Sequence, residues 1–326
     1  MRDHSNTLLA PGARPQEDRY LAAEVLEGFS QTPKTLSPIW LYDERGSQLF
    51  DQICELPEYY PTRTELAILR EHIGEMAQLI GGNVRVIEPG SGTSQKTRLL
   101  LDRLHDVVAY LPVDIAREHL VEAAKELAVL YPHIEVSPVC ADFTKGFNTS
   151  VRLPAARNLV FFPGSTIGNF VPSEARQLLS NMGEVIGNAG AILIGVDLRK
   201  DLSVLLPAYD DAQGVTAEFN RNTLRNLNAT LGTEFVPERF THRAIWNASQ
   251  SRIEMHLISQ CLQAVQIHDQ VVVFEAGEAL VTEYSHKYTV EGFAALAQQA
   301  GLAVQQVWLD EEKKFSVQLL KQAGRR

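Results

Sequence analysis

Between residues 84 and 197, short apolar runs alternate with longer stretches whose apolar positions recur at helical spacing. The runs at 84–88, 107–114, 134–139, 159–162 and 191–197 read as strands, and 93–105, 118–130 and 173–186 read as helices. This rhythm implies a parallel sheet covered on both faces, with ligands at the carboxyl ends of its strands. After Asp197 the rhythm breaks. Residues 198–286 show one helix, 215–231, with Phe219, Leu224, Leu227 and Leu231 on or near one face and Gly232 as its stop. Strand-like segments follow at 243–246, 252–258, 271–274 and 280–288. The first rhythm then resumes with a helix at 290–300 and strands at 304–309 and 315–320, which suit a closing antiparallel hairpin. Residues 198–286 therefore read as an insertion.

Ahead of the sheet, helices are expected at 18–29 and 47–56. A third opens at the capping box Thr62-x-x-Glu65 and stops at Gly81-Gly82. These N-terminal helices are expected to pack with the insertion. That divides the chain into a sheet domain, 63–197 and 287–326, and a second domain, 16–62 and 198–286, after a loosely ordered stretch at 1–15.

The chain of 326 residues is 45% hydrophobic and 21% charged, enough for a proper core. A net charge of -10 without a basic run argues against nucleic acid. The three cysteines, Cys54, Cys140 and Cys261, lie far apart, so neither a metal nor a redox pair is expected and a reduced cytoplasmic setting is the default. Glu283-x-x-His286 occurs once and lies in a strand, which gives no metal site. The polar N-terminus lacks an apolar signal core, and no run approaches a membrane span.

Chemistry enters at Ile87-Glu88-Pro89-Gly90-Ser91-Gly92-Thr93-Ser94-Gln95-Lys96-Thr97, a strand-to-helix turn. Gly90 and Gly92 let the backbone approach a ligand with no Cβ in the way. The third glycine of a dinucleotide fingerprint and the ending of a P-loop are absent. Such a turn suits a nucleoside without pyrophosphate, of which S-adenosylmethionine (SAM) is the common one. Asp114 and Asp142 follow the next two strands. Each can accept from a bound nucleoside or serve as a helix cap.

Further along lie Trp40-Leu41-Tyr42-Asp43, Pro57-Glu58-Tyr59-Tyr60-Pro61-Thr62-Arg63, Gly164-Ser165-Thr166-Ile167-Gly168-Asn169 and Tyr209-Asp210-Asp211. Phe219-Asn220-Arg221-Asn222, Arg252-Ile253-Glu254-Met255 and Thr282-Glu283-Tyr284-Ser285 complete the set. From about residue 18 onward the chain resembles the histidine Nα-methyltransferases of ergothioneine biosynthesis. The resemblance implies an α/β, Rossmann-like, seven-stranded class I SAM-dependent methyltransferase sheet with an inserted α+β substrate-binding domain. It implies SAM as donor, L-histidine as acceptor, and three methylations giving hercynine. A monomer with no nucleic-acid or membrane partner is expected. The alternatives are an enzyme for another amino acid, such as tryptophan, and a SAM-binding protein without catalysis.

By the same resemblance Gly90, Lys96, Asp114, Asp142 and Phe143 contact SAM. Asn169, Tyr59 and Tyr209 hold the amino-acid head group, Tyr42 stands near the imidazole, and Asn169, Tyr59 and Tyr42 form the catalytic set. Tyr60 is expected only to pack. Glu283 and Ser285, at i and i+2 of a strand, point to one face, where a carboxylate and a hydroxyl suit the two ring nitrogens of an imidazole. Met255 can line the same pocket or belong to the core. Pro89, Tyr284 and His286 depart from the family pattern and are expected to change packing rather than substrate. The reacting amine must be neutral. No strong general base stands in the core turn, so its proton is expected to pass to solvent and alignment to supply most of the rate.

Overall fold

The structure, a computed structural model, describes residues 14–91, 95–115, 117–145 and 157–324. Residues 1–13 of the N-terminal stretch, and Gly92 to Ser94 of the glycine turn, lie outside the described residues. The main sheet runs Leu302–Leu309, Phe315–Gln322, Ala191–Asp197, Arg157–Phe162, Val84–Pro89, Val107–Asp114 and Glu135–Val136, with Val139–Cys140 also paired to Val107–Asp114. Its central pairs are parallel, and Phe315–Gln322 is antiparallel to both neighbours. This is the α/β, Rossmann-like arrangement expected of a class I SAM-dependent methyltransferase. The third strand, expected as one run, is split in two. Pro138 stands at the break and has no N–H to give the ladder.

The strands read as continuous apolar runs because both faces are covered. Val84–Pro89 and Ala191–Asp197 are buried along their whole length. Val84 and Val86 pack with Ile68, Leu69, Ile73 and Met76 of helix Tyr60–Ile80. Ile87 points the other way, to Leu178, Leu179 and Met182 of helix Pro172–Ile186 and Phe293 of helix Val290–Gln299.

Helix Tyr60–Ile80 starts earlier than its capping box predicts, because Pro61 suits the first turn. The box does not form. The Thr62 hydroxyl donates to Cys54 Sγ at 3.3 Å. Glu65 runs into the interior, where it accepts from the Gly164 amide at 2.9 Å and from Lys96 Nζ at 2.5 Å.

A second sheet orders Lys34–Thr35, Ala279–His286, Arg252–Ser259 and Phe240–Asn247. Helix Val215–Leu231 buries Phe219, Leu224 and Leu227. Residues 198–286 hold a further helix that the sequence pattern hid, Leu202–Tyr209, capped by Asp201 accepting from the Ser203 amide at 2.7 Å. Pro207 inside it disguised it. A small hairpin, Gln263–Ile267 with Gln270–Phe274, adds a strand at 263–267 that was not expected. One irregularity matters for function. Val281 pairs with His256, but Glu283 pairs with Met255, so Thr282 bulges out of register. The bulge turns Glu283 and Ser285 to the face of Met255 and Ile253. The Thr282 hydroxyl holds it by donating to Asn220 Oδ1 at 2.6 Å.

Segment 198–286 leaves and returns at adjacent points. The Tyr288 amide donates to the Asp197 carbonyl at 3.0 Å, and the Arg199 amide to the Tyr288 carbonyl at 2.9 Å. Close packing at Gly195 supplies a test of the Glu65 seat. A Cβ there would stand 2.0 Å from Glu65 Oε1 and 3.1 Å from the Phe315 ring. Gly195→Ala should therefore cost about 1–3 kcal/mol by overpacking. Urea unfolding reads this directly, and an unchanged midpoint would refute the tight seat.

Candidate active site

At the carboxyl end of the sheet, the first strand turns at Gly90, whose φ of 69° is one that glycine adopts freely. Its amide donates to the Val113 carbonyl at 2.7 Å, which sets the turn beside Asp114. The Ala141 amide donates to the Asp114 carbonyl at 3.1 Å, which brings Asp142 alongside. A Cβ on Gly90 would lie 3.6 Å from the Phe143 ring. That ring is held edge-on by Phe162 at 5.8 Å and Phe170 at 6.4 Å between centroids. Gly90, Asp114, Asp142 and Phe143 thus meet in one place. A bare glycine backbone, two carboxylates and an aromatic face fit a nucleoside such as that of SAM. Asp142 Oδ1 also accepts from the Thr144 amide at 2.9 Å, the local turn-forming bond of its structural alternative.

Lys96 is paired with Glu65, whose other contact is the Gly164 amide. The pair links the first and fourth strand-end turns. Glu88, the acid that ends the first strand, accepts from Thr97 and Tyr110 hydroxyls at 2.6 Å each. Burial pushes its pKa up to about 7, and it ties the helix starting at Gln95 to the sheet.

The acceptor side forms where the turn after the fourth strand meets the second sheet. Gly168 is pressed so close that a Cβ would stand 2.9 Å from the His286 carbonyl oxygen. His286 Nδ1 in turn bonds the Gly168 carbonyl at 2.8 Å. This contact brings Asn169 to Glu283, with Asn169 Nδ2 donating to Glu283 Oε1 at 3.2 Å. Glu283 is 9% exposed, and burial raises its carboxyl to about 7 against the opposing pull of Lys287. Met255, which is buried, pairs with it across the strands.

Aromatic rings make the wall. Tyr59 meets Tyr209 at 6.3 Å and Phe50 at 6.1 Å, and Tyr42 meets Phe50 at 5.7 Å and Phe219 at 5.6 Å. Asp43 accepts from Asn222 at 2.7 Å, which fixes Tyr42 against helix Val215–Leu231. Burial, with the Glu283 charge adding to it, raises the Tyr42 phenol well above its ordinary pKa. Tyr59 is raised well above its ordinary pKa by burial as well, and Tyr209 is raised by burial despite Lys287. All three phenols stay protonated and able to donate.

Beneath this wall lies a network that the sequence reading missed. Lys287 Nζ donates to Tyr209 Oη at 2.7 Å and to Ser285 Oγ at 2.8 Å, and pairs with Asp197 Oδ2 at 2.7 Å. Tyr60, expected only to pack, donates to Asp197 Oδ2 at 2.6 Å. Lys200 completes the shell and bonds Tyr60 Oη at 2.6 Å. Burial works against the Asp197 charge, but Lys287 and Lys200 outweigh it and hold the carboxyl below its ordinary pKa. Burial draws Lys200 down to about 8. Two signals were available in the sequence. Lys287 continues the i, i+2 series of Glu283 and Ser285, and Asp197 is an acid at a strand end, as Asp114 is.

Residues 21–322 match the family described as histidine-specific methyltransferase, SAM-dependent. The chain is 41% identical to histidine N-alpha-methyltransferase of Mycolicibacterium smegmatis, across 92% of this chain and 94% of that one. The Mycobacterium tuberculosis protein of the same name is 40% identical, again across 92% and 94%. Ergothioneine biosynthesis protein 1 of Neurospora crassa is 31% identical across 85% of this chain and 32% of that protein. This chain belongs to the family of histidine-specific, SAM-dependent methyltransferases.

Proposed function

We propose that this enzyme transfers three methyl groups from SAM to the α-amine of L-histidine, giving hercynine as the first step of ergothioneine biosynthesis. The contact between Asn169 and Glu283 carries this reading, because it sets a head-group amide and a ring-binding carboxylate in one buried site. Bound SAM supplies the electrophilic methyl carbon. Gly90, Asp114, Asp142 and Phe143 receive its nucleoside, and Lys96 stands by its carboxylate. Residues 63–197 and 287–326 form the body that binds SAM. Residues 16–62 and 198–286 form the part that binds histidine. The protein works as a cytoplasmic monomer on small molecules.

Asn169 offers its oxygen to the amine and its nitrogen to the carboxylate. Tyr59, kept protonated by burial, donates to the carboxylate, and Tyr209 packs its ring beside Tyr59 around the head group. Glu283 and Ser285 take the two ring nitrogens, and Tyr42 and Met255 close around the ring. Orientation supplies most of the rate, as expected of a site without a base at the reacting nitrogen. The aromatic wall of Tyr42, Tyr59 and Tyr209 tolerates growing bulk at the amine while both ends of the substrate stay anchored.

Histidine incubated with enzyme and excess SAM should gain three methyl groups by mass spectrometry. Accumulation of a singly methylated product, or methylation of tryptophan in preference, would overturn the assignment. Glu283→Gln should weaken histidine binding by roughly 10- to 100-fold, the scale of a hydrogen bond to a charged group, and leave S-adenosylhomocysteine binding unchanged. Equal loss of both ligands would misplace the residue.

The same substitution has a pH signature. The folded protein holds Glu283 at about 7, above its ordinary value of 4.5, so ionisation costs stability as pH rises between those values. Ligand-free Glu283→Gln should escape that loss. Its stability relative to the parent should grow across this window, by an amount on the order of 3 kcal/mol. Parallel pH–stability curves for the two proteins would contradict the buried carboxyl.

A further inference from the structure

Lys287 is 2% exposed, and its ammonium has three N–H donors and no acceptor. All three are spent, on Asp197 Oδ2, Tyr209 Oη and Ser285 Oγ, at 2.7, 2.7 and 2.8 Å. Both hydroxyl oxygens therefore accept from the lysine. They also lie 2.8 Å from each other, so one of their two protons sits between them. The phenol is the stronger acid and the better donor, so Tyr209 donates to Ser285. Ser285 Oγ then accepts twice, which uses both its lone pairs, and only its proton remains to offer. Asp197 keeps the lysine charged. Burial disfavours the ammonium, but the adjacent carboxylate outweighs it and holds the lysine above its ordinary pKa.

We propose that Lys287 is a positioning residue that makes the Ser285 hydroxyl an obligate donor, so that the site accepts an imidazole presenting a bare nitrogen to Ser285 and an N–H to Glu283. The inference rests on the reading that Ser285 meets the substrate ring. It deepens that reading in one respect: the site selects one neutral tautomer of histidine. An imidazolium has two N–H groups and no lone pair, and would point a proton at a proton on Ser285. A ring carrying only an N–H would satisfy Glu283 and leave the serine proton without a partner.

Two measurements test this. The first uses the unaltered protein, saturated with S-adenosylhomocysteine and ring-¹⁵N histidine. NMR should show one protonated and one bare ring nitrogen in the bound ligand; two protonated nitrogens would overturn the proposal. The second compares histidine with its pyrrole analogue, in which the acceptor nitrogen is replaced by C–H. Lys287→Met removes the lysine and leaves Asp197 paired with Lys200, so no buried charge is stranded. In that variant the preference for histidine over the analogue should fall by about 10-fold, the scale of one hydrogen bond, with S-adenosylhomocysteine affinity retained. Adding Ser285→Ala should then cost little more, since both changes remove the same interaction. If preference is intact without the lysine but lost in Ser285→Ala alone, the lysine is structural only and the proposal fails. If Ser285→Ala alone keeps the preference, Ser285 does not meet the ring and the underlying reading fails with it.

Discussion

A carboxylate with no exposure sits at the carboxyl end of the sheet, and the candidate acceptor site hangs from it. Asp197 must have partners there, because an unpaired buried charge costs several kcal/mol. Its partners are Lys287, Lys200 and Tyr60. Each reaches a different part of the site. Tyr60 adjoins Tyr59 of the aromatic wall. Lys287 holds Tyr209 and Ser285. The Asp197 amide donates to Ser165 Oγ at 2.9 Å and so steadies the turn that carries Asn169. One buried residue, through its charge and its amide, thus sets the positions of side chains drawn from four separated stretches of sequence.

The core sheet was legible because its signal is local. Strands such as Ala191–Asp197 are apolar throughout, and each lies between helices of regular period. What stayed hidden depends on tertiary contact. The capping box at Thr62 looked correct, yet Glu65 found better partners in Lys96 and Gly164, which no local pattern contains. Helix Leu202–Tyr209 is short, contains a proline, and is held by burial of Leu205, Ala208 and Tyr209.

The site was legible in a narrower sense. Alternation alone placed Glu283 and Ser285 on a common face, but could not say which face. The bulge at Thr282 decides that, and it depends on Asn220 from a distant helix. Without the bulge, Thr282 would take the place of Glu283 opposite Met255, and Glu283 would face Glu254. Instead Tyr284 and His286 turn away, and the Arg252 guanidinium covers the Tyr284 ring at 3.6 Å. Lys287 and Asp197 escaped notice because each looks ordinary alone, and only their pairing gives either a role.

The bulge and the buried charge serve different ends. The bulge aims Glu283 and Ser285, and the charge keeps what it aims in place. Burial sharpens both effects, since Glu283, Lys287 and Asp197 are all shielded from solvent screening.

The adjacency of Asp197 and Tyr288 reaches beyond this one substrate. Because the chain leaves the sheet and returns to it at neighbouring points, the intervening segment can be lengthened, shortened or reshaped without moving a strand. The sheet asks only that the returning chain bring a cation back to the waiting carboxylate. Such an anchor closes a long excursion of the chain on a single buried ion pair.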